Sequence, residues 1–322
     1  MTQPSYPVRT DRSRALAERM SAGMQERVLS FPLTAFTADG ARIAEEPFRA
    51  HLSSRVAGDA AAVFIACGTG EFGALSEDEF RTAIGVAVDE VSDAVPVVAG
   101  VGYGWAQAQR FAAIAEEAGA DAALVMPHYL VSAPQAGLAA HVRRISASTD
   151  LPLIIYQRGQ ADYAPETVRE LSHLPNVVGL KDGRSNYPAL QMTTLAVDDE
   201  FLFFNGALTA ELQYRPYASI GITAYSSAVH AFVPEVANAF FRAARAGDDD
   251  TMDALLRTFY GPLVELRDEV RGYAVALVKA GARLRGQNVG PVRAPLSDPH
   301  DAHIRRLDEI TRAGLALIGE EF

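Results

Sequence analysis

Lys181 closes the apolar run Val177-Val178-Gly179-Leu180 in a chain whose 29 basic residues include only two lysines, the other being Lys279. Base composition can drive a chain toward arginine, so the two retained lysines mark places where that pressure did not act. An amine can shed its proton and attack a carbonyl; a guanidinium cannot. A lysine at the end of a buried strand therefore predicts imine chemistry on a keto substrate. The competing reading is a lysine paired with Asp182 or another nearby carboxylate.

Tyr156 ends the preceding apolar run. A phenol there can move protons to and from an imine nitrogen or a carbonyl oxygen, or it can simply plug the end of the fold. Gly68-Thr69-Gly70 ends an earlier run and can offer backbone N–H groups and the Thr69 hydroxyl to a carboxylate. A tight strand-to-helix turn is the alternative, with Glu71 bracing it. Gly100-Val101-Gly102-Tyr103-Gly104 has Trp105 where a dinucleotide fingerprint needs its third glycine, so that reading is rejected. His300 and His303 lie in a polar stretch with Asp298 and Asp301 and read as a solvated face. No metal site and no cofactor is expected.

The elements that must carry these residues follow from hydrophobic patterning. Short continuous apolar runs at Phe31–Phe36, Ala62–Cys67, Val95–Val101, Ala122–Met126, Leu153–Tyr156, Val177–Lys181, Phe201–Phe204 and Ile220–Tyr225 read as parallel strands buried on both faces. Helical stretches separate them. Ser76 and Glu79 form a capping box, Gly119 stops an alanine-rich helix, and Pro165 opens another. Eight such units predict a (β/α)8 TIM barrel, an α/β fold whose site lies at the C-terminal strand ends. Helical patterns at Pro234–Ala246, Thr251–Phe259 and Val264–Arg285 predict a C-terminal helical subdomain. The division expected is an N-terminal extension over residues 1–27, the barrel over 28–232 and the helical subdomain over 233–322.

Bulk properties narrow the partners. A net charge of −11 without a basic run speaks against nucleic acid. No apolar run reaches the ~20 residues needed to span a bilayer, so no membrane partner is expected. Met1 to Met24 is polar, carries Arg9, Arg12, Arg14 and Arg19, and has no apolar core of a secretory signal. With the single cysteine, Cys67, this predicts a cytoplasmic protein.

Several segments together resemble the dihydrodipicolinate synthase / N-acetylneuraminate lyase superfamily. They are Phe31-Pro32-Leu33-Thr34, Gly68-Thr69-Gly70-Glu71-Phe72, Pro127-His128-Tyr129-Leu130 with Gln135 and Gly137-Leu138, Tyr156, and Gly179-Leu180-Lys181-Asp182-Gly183. Tyr225-Ser226-Ser227-Ala228-Val229, Phe232-Val233-Pro234, Gly272-Tyr273-Ala274-Val275, Val278–Arg283 and Gly290–Leu296 are similar to a dehydratase subgroup acting on a six-carbon keto diacid. The resemblance runs from about Val28 to Leu307. It implies an imine-forming Lys181, a catalytic Tyr156, carboxylate contacts at Gly68 and Thr69, and a second tyrosine at Tyr129. It also implies a homo-oligomer, a homotetramer or homodimer. The chain departs from the subgroup at Cys67, Gly73, Gln157 and Arg184-Ser185-Asn186, positions expected to line the mouth.

The expected reaction is a decarboxylating dehydration through a Lys181 Schiff base, with Arg158, Asn205, Ser226 and Ser227 placed to hold the far carboxylate of a sugar-diacid substrate. An aldolase acting through the same imine, or a keto-acid-binding barrel without catalysis, are the alternatives. Lys279 is expected to form a structural ion pair, for instance with Glu265 or Asp268.

Overall fold

A computed structural model describes residues 9–322. Strands β1 (Leu29–Ser30), β2 (Ala62–Ile65), β3 (Val97–Val101), β4 (Ala122–Val125), β5 (Leu153–Gln157), β6 (Val177–Asp182), β7 (Leu202–Asn205) and β8 (Ser226–Ser227) pair in parallel, each with its neighbour in sequence. β1 also pairs with β8, and an Asn205–Tyr225 bridge joins β7 to the start of β8. The sheet therefore closes into the expected barrel.

Helices α1 (Asp11–Glu26), α2 (Glu45–Ala57), α3 (Glu77–Val91), α4 (Trp105–Glu117), α5 (Gln135–Ser146), α6 (Pro165–Leu171), α7 (Tyr187–Thr194) and α8 (Tyr214–Ala218) alternate with the strands, α1 preceding β1. The Ser76–Glu79 capping box closes both of its hydrogen bonds at the start of α3. Gly119 adopts φ +89° just past α4, and Pro165 occupies the first turn of α6. The last part of the chain forms α9 (Pro234–Ala246), α10 (Asp249–Leu255), a π-helical turn Leu256–Tyr260, α11 (Gly261–Glu269), α12 (Tyr273–Leu284) and α13 (Asp301–Leu317).

Three expectations about elements need correction. The first strand is Leu29–Ser30 and not Phe31–Phe36. Pro32 has no N–H for a ladder, and the Leu33 N–H instead donates to His51 Nε2 at 3.0 Å. The last strand is Ser226–Ser227 and not Ile220–Tyr225. Gly221 at φ +85° still belongs to the turn that ends α8, where the Ile222 N–H donates to the Tyr217 carbonyl. The helical pattern Val264–Arg285 is two helices, because Gly272 breaks it at φ +90°. The His300–His303 stretch opens helix α13 with His300 and Asp301 exposed, as expected of a solvated face, and His303 is half-buried against the Tyr273 hydroxyl at 3.1 Å.

Helix α1 covers the N-terminal end of the barrel. Leu16, Met20 and Met24 join the interior side chains of the strands in one apolar cluster. Its flanking arginines reach the loops at that end: Arg9 donates to Asp198 and to the Glu200 carbonyl, and Arg12 to the Ala120 carbonyl. Above this plug, Phe31 stacks on Phe64 at 4.5 Å and Phe64 meets Phe204 at 5.6 Å. Phe31, the uppermost of these rings, lines the C-terminal mouth.

Candidate active site

Strict alternation along β6 would point Val178 and Lys181 to opposite faces, since they are three residues apart. Both nevertheless lie inside the barrel. The pairing with β5 slips here, Leu153 facing Val177 but Ile154 facing Gly179, so Val178 forms a bulge. A one-residue slip reverses the face of everything beyond it. Gly179 permits the bulge, because a Cβ there would stand 2.8 Å from both the Cβ and the carbonyl oxygen of Leu202. Beyond it Tyr156 and Lys181 are register partners, both turned inward.

The Lys181 amine rests 3.7 Å from the centre of the Phe31 ring and 4.5 Å from that of Tyr156. Burial disfavours the ammonium form, and the nearby Arg158 guanidinium adds to this, so its pKa falls to about 7. Pairing with Asp182 is excluded by geometry. Asp182 faces away and accepts from Gln157 Nε2 at 2.6 Å, from the Arg184 and Ser185 N–H groups, and from the Tyr217 hydroxyl. No carboxylate pairs with Lys181 among the described residues. Its shift favours the neutral amine, the form that imine formation requires.

The Tyr156 hydroxyl donates to the Gly206 carbonyl at 3.3 Å and accepts from Arg158 Nη1 at 3.0 Å. Burial raises its pKa, although Arg158 pulls the other way. It is therefore a protonated phenol and not a standing phenolate.

A cavity of about 490 Å³ opens over these groups. Lys181, Tyr156, Gly68, Thr69, Tyr129, Arg158 and Ser226 all line it. The Gly68 and Thr69 N–H groups and the Thr69 hydroxyl make no hydrogen bond among the described residues, leaving donors free for an anion. Tyr129 stands on the rim, 69% exposed, with its ring 6.1 Å from that of Tyr103. Asn205 and Ser227 are placed outside the cavity. Asn205 Nδ2 donates to the Ala210 carbonyl and its Oδ1 accepts from Ala207 N–H, both at 2.9 Å. The Ser227 hydroxyl donates to Glu211 Oε1 at 2.6 Å and accepts from the His230 N–H. Their polar atoms brace loops and are not available to a ligand.

Of the sequence departures, only Cys67 lines the cavity. Burial pushes its thiol up to about 12. Gln157 faces outward to Asp182, Arg184 lies outside beside Asp162, and Gly73 leaves room for Tyr103, whose hydroxyl would be 3.0 Å from a Cβ there.

Phe31, Gly206, Arg267 and Glu211 are among the lining residues that sequence reasoning did not place in the site. Phe31 was assigned to a strand, and Gly206 carried no signal beyond ending one. Arg267 comes from α11 and donates to the Thr209 hydroxyl at 2.7 Å. Glu211 is buried beside Ser227, and burial raises its carboxyl to about 7. Nothing in local spacing brings the last two to the barrel mouth.

A buried lysine and a phenol on adjacent strands of a parallel barrel, beneath a turn with free N–H groups, define a class of imine-forming carbonyl enzymes. The chain belongs to the dihydrodipicolinate synthetase family, whose model matches residues 24–313. It is 60% identical over 305 residues to a probable 5-dehydro-4-deoxyglucarate dehydratase 2 of Streptomyces coelicolor, covering 95% of this chain and 94% of that protein. A probable 5-dehydro-4-deoxyglucarate dehydratase of Streptomyces griseus is 52% identical, covering 91% and 92%. In fold, the chain is similar to dihydrodipicolinate synthase from Bacillus clausii, with a TM-score of 0.81, 24% identity, and coverage of 90% and 98%. Ruminococcus gnavus sialic acid aldolase is as close in fold, with a TM-score of 0.81 at 20% identity and coverage of 92% and 99%.

Proposed function

We propose that this chain is a 5-dehydro-4-deoxyglucarate dehydratase, a decarboxylating hydro-lyase that works through a Schiff base on Lys181. The observation that carries the reading is the buried Lys181 amine, without a carboxylate partner among the described residues, beside Tyr156 at the mouth of a family barrel in a chain 60% identical to a probable dehydratase of that name.

Lys181 attacks the ketone and water leaves, giving a protonated imine. The imine accepts electrons as the adjacent methylene gives up a proton, and Tyr156 is the group placed to carry it. The β-hydroxyl then departs as water. The new double bond is conjugated to the imine, so the same sink takes the electron pair freed when the far carboxylate leaves as CO2. Protonation and hydrolysis return the amine and release 2,5-dioxopentanoate. The substrate loses one CO2 and one water in total, so the carbon skeleton needs no oxidant or reductant.

Site roles follow from position. Gly68 and Thr69 hold the carboxylate next to the ketone through their free N–H groups and hydroxyl. Arg158 and Ser226 face the other carboxylate, and Tyr129 closes the rim. A homodimer or homotetramer is part of the proposal, supported by the exposed run Tyr129-Leu130-Val131 at the mouth. So is a cytoplasmic location. Among the described residues no helix is long and apolar enough to cross a membrane.

The test is borohydride reduction in the presence of 5-dehydro-4-deoxyglucarate, with peptide mapping and analysis of the unreduced reaction. An adduct on Lys181 together with CO2 and 2,5-dioxopentanoate is the expected result. Pyruvate as product would move the chain to the aldolases, and absence of any adduct would end the imine reading.

A further inference from the structure

The second lysine has a part in the same site. Lys279, on α12, is fully buried, and its Nζ donates to Glu71 Oε1 at 2.6 Å. Glu71 follows the Gly68-Thr69-Gly70 turn directly and adopts the left-handed conformation, φ +57°. A left-handed backbone is costly for a residue with a Cβ and persists where the surroundings over-determine it. The determinants here are visible. Glu71 Oε2 accepts from the Arg293 N–H at 2.8 Å, its own N–H closes back on the Gly68 carbonyl at 3.1 Å, and the Thr34 hydroxyl donates to the Gly70 carbonyl at 2.8 Å. The Phe36 ring lies under both cations, 4.0 Å from Lys279 Nζ and 4.0 Å from the Arg293 guanidinium.

Such a pair adds little net stability, because desolvating both charges offsets their attraction; its best-attested use is to fix one register. Here it fixes the turn against α12. That helix also walls the cavity through Ala274, Val275, Leu277 and Val278. The pair thus joins two sides of one cavity, 208 residues apart in sequence.

We propose that the Lys279–Glu71 pair is a positioning device that sets the Gly68-Thr69 turn for the carboxylate beside the reacting ketone. The inference rests on the reading of that turn given above. Without the pair, Glu71 loses the partner on Oε1 that holds its backbone, the free N–H groups lose their common direction, and 2-oxo acids lose their advantage over neutral ketones.

The experiment compares borohydride trapping of Lys181 by pyruvate and by hydroxyacetone, which has a ketone and no carboxylate. It uses the full chain, Lys279→Met, and the apolar double variant Glu71→Leu with Lys279→Met. The double variant leaves no unpaired buried charge and so keeps the test open should the single variant not fold. The wild-type chain should be half-trapped at a much lower concentration of pyruvate than of hydroxyacetone. In the variants the pyruvate concentration should rise at least tenfold while that for hydroxyacetone stays within twofold. An equal change for both ketones, or none, overturns the positioning role and leaves the turn's role intact. A wild-type chain without preference for pyruvate removes the carboxylate reading of the turn, and the inference with it.

Discussion

The side chain of Lys181 lies across Gly206: a Cβ built there would stand 2.4 Å from Lys181 Cε and 2.5 Å from its Cγ. The Gly206 carbonyl also accepts the Tyr156 hydroxyl. One residue without a side chain thereby leaves room for the Lys181 side chain and holds the Tyr156 hydroxyl. Gly206→Ala should push the amine off its line and cut kcat/KM by roughly a hundredfold, the scale of a misplacement near 1 Å. Steady-state kinetics beside thermal unfolding checks this. Unchanged kcat/KM in a folded variant would show that Lys181 does not need the space.

The lowered pKa of Lys181 sets a pH profile. Only the neutral amine attacks, so trapping by a keto acid should rise about tenfold per pH unit on the acid side and level off above a midpoint near 7. Trapping rates across the range locate the midpoint. A midpoint near the ordinary 10.5 would mean that the amine stays charged in the folded chain.

The same shift has a stability consequence of definite sign. Between about 7 and 10.5 the unfolded lysine is protonated and the folded one is not, so stability rises with pH through that window. Below it the penalty is full. Lys181→Met should therefore be more stable than the parent chain at pH 7, by up to ~4 kcal/mol, and the gap should shrink toward pH 10. Urea unfolding at several pH values reads it. A Met variant less stable than its parent at pH 7 would reverse the argument.

Tyr156→Phe keeps the ring beside Lys181 and removes the hydroxyl proposed to carry the proton. Turnover should fall by roughly 10²- to 10⁴-fold while Lys181 is still trapped by borohydride. Full turnover in this variant would take Tyr156 out of the mechanism.

Met20 tests the role of α1. It is fully buried among the interior side chains of the barrel. Truncation to Ala should cost about 2–5 kcal/mol, as for other buried large-to-small changes. KM should hold, since the plug lies at the end opposite the cavity. Stability within experimental error of the parent would mean that α1 does not support the barrel.

Much of this was legible in residue types and spacing. The eightfold barrel pattern and the places of its six middle strands, β2 to β7, were, because buried parallel strands read as short continuous apolar runs. Ser76 with Glu79, Gly119 and Pro165 announced helix ends by local chemistry. Lys181 stood out because arginine replaced lysine almost everywhere else. The tertiary structure decided the rest. Alternation along Val177–Lys181 does not say that Val178 bulges, and the bulge is what turns Lys181 inward. Asn205 and Ser227 end strands as a ligand-binding residue would, yet their atoms are consumed by Ala210, Ala207, Glu211 and His230. Lys279 forms the expected ion pair, but with Glu71 and not with Glu265 or Asp268, because Gly272 separates the helix that carries those residues from α12. The physical reason is common to all three. Local sequence governs backbone preference over a few residues, whereas the partner of a buried polar atom is whatever the closed barrel brings within 3 Å, from any distance along the chain.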